Sequence, residues 1–449
     1  MEIQKRTELF DNRALVRLIV PLLIEQLLAI TIGMADTIMV SSLGEAAVSS
    51  ISLVDNVNVL LINIISALTT GGAVVASQYL GHGDPEKACD SARQLYHLTF
   101  LGAAGLMAIC LLFNRGMLGM IFGQVEKDVM DGAVIYMALS ALSYPFLAVY
   151  NSGAALFRSM GNSKVSMYTS VLMNIVNVGG NALAIYGFHW GIAGAGLASL
   201  ISRALGAVIL TALLFDRKHP IHLKNMLRVS FKWDMVKRIL KVGVPNGLEN
   251  GMFQIGKLLV LNLISSFGTA AIAANAICNT VASFAVLPGI STGLAMTTVV
   301  GQCMGAGDGD QAARNIRKLM LVTQGMMLIT CLGLSALCGP LAGMFNLSAE
   351  AEQMSKEIIF MYGICAFLFW SISFVLPCGL RGAGDARFTM IVSVASMWIC
   401  RIGLSYLFGG AMGWGLMGVW IAMVVDWLFR DAAFIWRYAK GTWKTMRVI

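Results

Sequence analysis

Two acids, Glu25 and Asp36, stand inside one apolar stretch, IEQLLAITIGMADTIMV, at residues 24–40. A carboxylate in such a place pairs with a base, takes up a proton, or binds a metal ion through its hard oxygens. The two acids are eleven residues apart, and eleven steps of about 100° return to within about 20° of three full turns, so a helix puts both on one face. Farther along, Asp55 stands among Asn56, Asn58 and Asn63, and MNIVNVGGNALAIYG carries Asn174, Asn177 and Asn181. Asn177 and Asn181 are i, i+4 neighbours, and their amide carbonyls offer oxygen to a cation without adding charge. Asp36, Asp55, Asn177 and Asn181 are therefore the candidate cation-coupling residues, the acids able to bind a cation or take up a proton and the amides able to add neutral oxygens. Helix–helix hydrogen bonding is the competing account of the amides.

These residues are carried by an unusually apolar chain. Its 449 residues are 57% hydrophobic and 12% charged, with a mean hydropathy of +0.74, whereas soluble domains carry about 25% charged residues. The apolar material falls into blocks of about 20–30 residues, enough at 1.5 Å per residue to cross a hydrocarbon core of about 30 Å. Twelve blocks centre near residues 28, 62, 102, 145, 175, 203, 250, 285, 325, 367, 398 and 425. The pattern predicts an all-α integral membrane protein with twelve transmembrane helices. MEIQKRTELFDNRALVRLIVP lacks the small-residue cleavage site of a removable signal, so the first span is expected to stay. With spans alternating from a cytoplasmic first terminus, only Arg115, Lys127 and Lys356 fall outside and Arg203, Lys257 and Arg401 within spans; the rest of the 32 Lys and Arg lie on the cytoplasmic side. The net charge of +8 is thus a topology signal with both termini cytoplasmic, and argues against nucleic acid as a partner. The nine cysteines form no C-x-x-C pair and read as packing residues.

The chain also repeats itself. SSLGEAAVSSISL (41–53) lies over SSFGTAAIAANAI (265–277) at an offset of 224, which also superposes Pro21 on Pro245, Glu25 on Glu249, and LGHGD (80–84) on MGAGD (304–308). FRSMGNSK (157–164) matches LRGAGDAR (380–387) at 223, and WGIAGAGLA (190–198) matches WGLMGVWIA (414–422) at 224. Two six-helix lobes, 1–215 and 235–449, are expected, joined by a basic cytoplasmic linker at 216–234. Six is even, so the lobes keep one orientation and should relate by a pseudo-two-fold axis along the membrane normal. The G-x-G-D and R-x-x-G-[ND] loops read as glycine helix caps and intracellular hinges.

The halves are not electrostatic copies. Asp36 becomes Val260, Asp55 becomes Asn279, Gly33 becomes Lys257, and Arg401 stands near the counterpart of Asn177. Glu25 has a twin in Glu249, so both are assigned to something the lobes share, gate packing or a cavity lining. Lys257 is expected to neutralise Glu249 or Asp36, and Asp426 to pair with Arg203 or with Arg430 at i+4. With 28 Met and 21 Phe, an adaptable apolar cavity is expected, walled by Met34, Met252, Phe253 and Phe284 and lined or gated by Glu25, Glu249, Lys257 and Arg401.

GMFQIGKL (251–258) imitates a phosphate-binding loop but lacks the final Ser/Thr and lies within a span, so an ion gradient is the expected energy source. No catalytic constellation is present, which argues against an enzyme. Pro21 followed by MADTIM, then SSLGEAAVSS, QYLGHGD with its echo QCMGAGD, and FRSMGNSK with its echo LRGAGDAR, in this order over the whole chain, resemble the multidrug and toxic compound extrusion (MATE) family. The resemblance implies two six-helix lobes arranged as a V. It implies export of small organic, often cationic, drug-like compounds in exchange for Na+ or H+, without a cofactor, by a monomer in the bilayer of the bacterial inner membrane. It also places Asp36 in the cation site of the amino-terminal lobe with a polar pair of the fifth span, which implies Asn177 and Asn181 as its companions and Asp36 with Asn177 as the expected ligands where the ion is Na+. Here the second member of that pair is Asn181, where part of the family has aspartate, which favours Na+ over a two-carboxylate proton relay. The alternative is a lipid-linked saccharide flippase of related architecture, for which Lys257, Arg401 and Arg203 would supply cationic lining.

Overall fold

The computed structural model describes residues 9–123, 126–224, 226, 230–343 and 348–449, and every regular element among them is helical. Residues 1–8 of the amino-terminal segment and 225 and 227–229 of the linker lie outside the described residues. Among the described residues eight helical segments are long and apolar enough to cross a membrane, and a pair bent by 48°, taken as one span, makes a ninth. Three further helices are long enough but too polar: Ser163–Ala182, Trp233–Ser265 and Gly415–Lys440. With these, twelve long helical segments coincide with the twelve apolar blocks. The three polar ones carry Asn177 and Asn181, Glu249 and Lys257, and Asp426 and Arg430, so the residues that dilute the apolar signal are the ones with chemistry to account for.

The chain packs as two compact units, residues 12–247 and residues 248–448 with the described residues before Asn12. The first holds α1 (Asn12–Ser41), α2 (Glu45–His82), α3 (Pro85–Leu112), the short α4 (Asn114–Phe122), α5 (Lys127–Ser159), α6 (Ser163–Ala182) with a π-helical turn at Leu183–Gly187, α7 (Gly191–Leu214), and the start of α8 (Trp233–Ser265). Helix α5 is the centre, packed on α2, α3 and α7, while α1 packs on α6 and α6 on α7. In lipid there is little hydrophobic drive between helices, so close approach relies on small residues. Gly71 in α2 shows this: a Cβ there would strike the Ile239 carbonyl and come within 2.8 Å of the Gly243 nitrogen of α8.

The second unit continues α8 from Leu248 through α9 (Thr269–Ala285), α10 (Leu287–Gly305), α11 (Gly309–Ala336), the short α12 (Cys338–Gly343), α13 (Ala349–Cys365), α14 (Ser371–Phe374), α15 (Leu376–Ala383), α16 (Ala386–Ser396) and α17 (Gly415–Lys440). Three π-helical turns, Ala366–Trp370, Met397–Gly403 and Tyr406–Ala411, interrupt it. Such turns widen the helix by a residue and re-aim the side chains around them. The stretch 251–258 that imitates a phosphate loop lies in the interior of α8.

The repeated loops do two jobs. Gly83 and Gly307 take positive φ of 80° and 73°, a conformation that costs glycine little. The aspartate that follows each caps the next helix, Asp84 accepting from the Lys87 N–H at 3.0 Å and Asp308 from the Gln311 N–H at 2.8 Å. The Lys87 N–H, with the Lys87 ammonium beside it, holds the Asp84 carboxyl below its ordinary value.

Pro21 interrupts α1 without breaking it. It has no N–H to give the Arg17 carbonyl one turn back. The hydroxyl of Ser163, the first residue of α6, supplies the replacement, donating to Leu18 O at 2.6 Å and reaching Arg17 O at 3.4 Å. Gly71→Val should separate α2 from α8 and lower the thermal unfolding temperature of the purified protein; a variant that melts with the wild type would show that this contact is not tight.

Candidate cation site

The same two helices that meet at Ser163 meet again near the other end of α1. Asn181 Nδ2 donates to Asp36 Oδ1 at 2.8 Å across the α1–α6 contact. Asn177, one turn earlier, has its amide beside the same carboxylate. With the nitrogen turned toward Asp36 it donates to Oδ2 at 2.9 Å and Oδ1 at 3.1 Å, and its carbonyl accepts from Ser199 Oγ of α7 at 3.1 Å. Asn177 is 8% and Asn181 2% exposed, while Asp36 is half-buried. The i, i+4 spacing of the amides accounts for their common aim, and the Leu183–Gly187 π turn begins two residues after Asn181.

This is one negative charge held by neutral donors. By insertion scales an acid at the middle of a span costs about 3 kcal/mol, and hydrogen bonds to a charged group return about 1.5–3 kcal/mol each. The same amides present carbonyl oxygens when they rotate. The carboxylate and two amide oxygens are the hard ligand set of a group IA or IIA cation.

Asp55 does not join this group directly. It is exposed on α2, accepts from Asn58 Nδ2 at 3.2 Å, and with Arg203 forms the charged surroundings of Asp36. Asn58 is tied in turn to Tyr144 Oη at 2.6 Å and Ser140 Oγ at 3.4 Å of α5. Arg203 of α7 donates to Ser143 Oγ at 2.6 Å. Of the expected wall residues, Met34 is 43% exposed, and Met252, Phe253 and Phe284 are half-buried.

The twin glutamates have twin partners. Glu249 Oε2 lies 2.9 Å from Arg381 Nη1. Glu25 Oε2 accepts from Ser166 Oγ at 3.1 Å, and its other oxygen is 3.9 Å from Arg158 Nη1. Arg158 and Arg381 are the arginines of FRSMGNSK and LRGAGDAR, so the repeated loop motif supplies the base for the repeated acid. Lys257 was expected to neutralise Glu249 or Asp36; at Glu249 that place is taken by Arg381. Asp426 of α17 takes Arg430 at 3.2 Å, the i+4 alternative, and Arg401 at 3.8 Å.

The family model MatE matches residues 21–183 and again residues 245–407. The chain belongs to the MatE family. The two matches stand 224 residues apart, the offset of the internal repeat, so each half of this MatE protein is one copy of the family unit. It is 26% identical over 429 residues to "Uncharacterized transporter YisQ" of Bacillus subtilis, covering 94% of this chain and 93% of that one. It is also 26% identical over 445 residues to "Probable multidrug resistance protein NorM" of Thermotoga maritima, covering 98% and 94%. A solved structure of MATE in the bent conformation superposes with a TM-score of 0.88 at 19% identity over 96% of each chain. That likeness speaks for the fold. As a MatE protein the chain is a multi-pass membrane transporter, not an enzyme.

Sequence reasoning missed Ser163, Ser166, Ser199 and the pairing role of Arg158 and Arg381. For the two arginines a signal existed, since their motif repeats together with the glutamates; for the serines there was none. Arg381→Met leaves Glu249 buried without a counter-charge and should cost up to about 3–5 kcal/mol in stability, with Glu249→Gln added to it recovering most of the loss. Arg158→Met should cost less, because the Glu25 pair is longer. Equal melting of Arg381→Met and wild type, or no recovery in the double variant, would contradict the assignment.

Proposed function

We propose that this MatE protein exports small organic, drug-like compounds, many of them cationic, across the bacterial plasma membrane in exchange for Na+, with both termini in the cytoplasm. The observation that carries the reading is Asp36, one carboxylate flanked by the amides of Asn177 and Asn181 between two apolar helices. The name of the Thermotoga maritima relative supports a drug as cargo.

The geometry gives a way to couple. Without Na+ the two amides donate to Asp36 and fasten α1 to α6. With Na+ their carbonyls turn to the ion, and the carboxylate charge is offset by the cation instead. The contact at Ser163 and Pro21 does not depend on the ion, so the part of α1 beyond Pro21 can shift while its beginning stays anchored. A transported compound that favours the ion-free arrangement of α1 and α6 then competes with Na+, and exchange follows because each occupant binds a different state more tightly. Alternating access is the proposed use of that competition.

Expressed in cells that lack their own drug pumps, the protein should lower ethidium accumulation, and more so with an inward Na+ gradient than without. Equal accumulation in expressing and empty cells under both conditions would sink the efflux reading. Asp36→Asn should abolish gradient-driven export while the protein still reaches the membrane. Asn181→Ala, which removes one ligand oxygen and one donor, should raise the Na+ concentration for half-maximal export by about tenfold, the equivalent of one charge-assisted contact. Export unchanged in Asp36→Asn would remove this carboxylate from the mechanism.

A further inference from the structure

Where the first half carries its acid and amides, the second half carries bases. The counterparts of Gly33, Asp36 and Asn177 at the 224-residue offset are Lys257, Val260 and Arg401, and those of Ser202 and Gly206 are Asp426 and Arg430. In the unit 248–448 these bases converge on one ring. Lys257 Nζ lies 5.4 Å, Arg401 Cζ 5.3 Å and Arg430 Cζ 5.7 Å from the centroid of Phe253.

The three are not equally engaged. Arg430 is 2% exposed and paired: its Nε donates to Ser396 Oγ at 2.8 Å and Asp426 Oδ1 at 3.2 Å, Nη2 to the Ser393 carbonyl at 3.2 Å, and its Cζ lies 5.1 Å from the Phe374 ring centroid. Arg401 shares Asp426 at the longer distance of 3.8 Å. Asp426 is 0% exposed, so this single carboxylate is committed to two guanidiniums. The neighbouring acid, Asp431, is bonded to Ser373 Oγ at 2.5 Å. Lys257 makes no ion pair or hydrogen bond among the described residues of this unit. Its position on α8 is exposed, and its ammonium turns back over the face of the ring one turn earlier. A Phe face offsets little of the cost of a bare ammonium within a span.

Beside this cation lies an aromatic shelf. Phe253 meets Phe374 edge to face at 6.4 Å, and Phe374 stacks on Trp370 at 4.8 Å with the rings 24° apart. A spare positive charge next to stacked rings suits an anionic head on a flat apolar body.

We propose that the unit 248–448 holds a binding site for small aromatic carboxylates, in which the Lys257 ammonium takes the carboxylate, Arg401 adds a second positive charge, and the Phe253, Phe374 and Trp370 rings take the body. The proposal shares no residue with the Asp36 set, goes beyond the efflux reading, and answers the absence of an acid partner for Lys257 among the described residues of its unit.

The test is equilibrium binding of 2-naphthoate and of its uncharged isostere 2-naphthamide to the purified full chain in lipid nanodiscs, by calorimetry, with no ion gradient. Wild type should bind the acid at least about tenfold more tightly than the amide, and the difference should shrink in high salt. Lys257→Gln should remove the discrimination and leave naphthamide binding as it is, while Lys257→Arg retains it. Equal affinity of wild type for acid and amide would overturn the proposal without needing any variant to fold, and so would full discrimination in Lys257→Gln. Because no transport is measured, a negative ethidium result would refute the efflux reading and leave this outcome to stand or fall by itself.

Discussion

The hydrogen bonds from Asn177 and Asn181 to Asp36 are the constraint on which the amino-terminal unit turns. A lone carboxylate between apolar helices needs either a counter-charge or donors, and here the donors are two amides that can reverse. The cost of burying Asp36 is therefore offset by groups whose other end, the amide carbonyl, is itself a hard oxygen donor. Helix α6 must be positioned to deliver both amides, and the Ser163 hydroxyl on the Pro21-freed backbone of α1 fixes it at the other end. An arginine opposite Asp36 would have neutralised it permanently. The twin glutamates show that outcome: Glu249 and Glu25, each set against an arginine of the repeated loop, are held in place rather than kept available.

Duplication explains what the units share and what they do not. Both copies of the family unit keep the proline, the glutamate and arginine pair, the glycine and aspartate loop caps, and the order of long helical segments. Those are requirements of folding a six-helix unit in lipid, where each helix end and each freed carbonyl has to be satisfied inside the protein. The charged groups in the middle of the spans meet no such requirement, and there the copies part. One holds an acid with neutral donors, the other a cluster of bases around Phe253, two of them paired with Asp426.

Much of the fold was legible because span length and apolarity are coarse constraints. Twelve blocks read from hydropathy coincide with twelve long helical segments, even the three whose polar residues pull them below the usual apolarity. The Asn177 and Asn181 pair was legible for a different reason, since amides at i, i+4 on one helix share a face whatever the tertiary packing; their meeting with Asp36 was implied by the family resemblance alone. Partners across helices were harder. Lys257 read as a mate of Glu249 or Asp36, yet it stands eight residues from Glu249 on the same helix and the Arg381 guanidinium arrives at Glu249 from α15 instead. The π turns were illegible, since nothing in MWICRIG or LAIYG distinguishes them from α-helix, and one of them carries Arg401. Serine hydroxyls that complete a freed carbonyl or a carboxylate look, in sequence, like any other serine in a membrane helix.

The claim that Asp36 is the cation-binding group is tested most directly by binding of radioactive Na+ to the purified protein, with Asp36→Asn beside it. The account predicts saturable Na+ binding at one site per chain in the wild type, lost in the variant although the variant folds and melts normally. Saturable binding that persists undiminished in Asp36→Asn, or no saturable Na+ binding by the wild type, would contradict it.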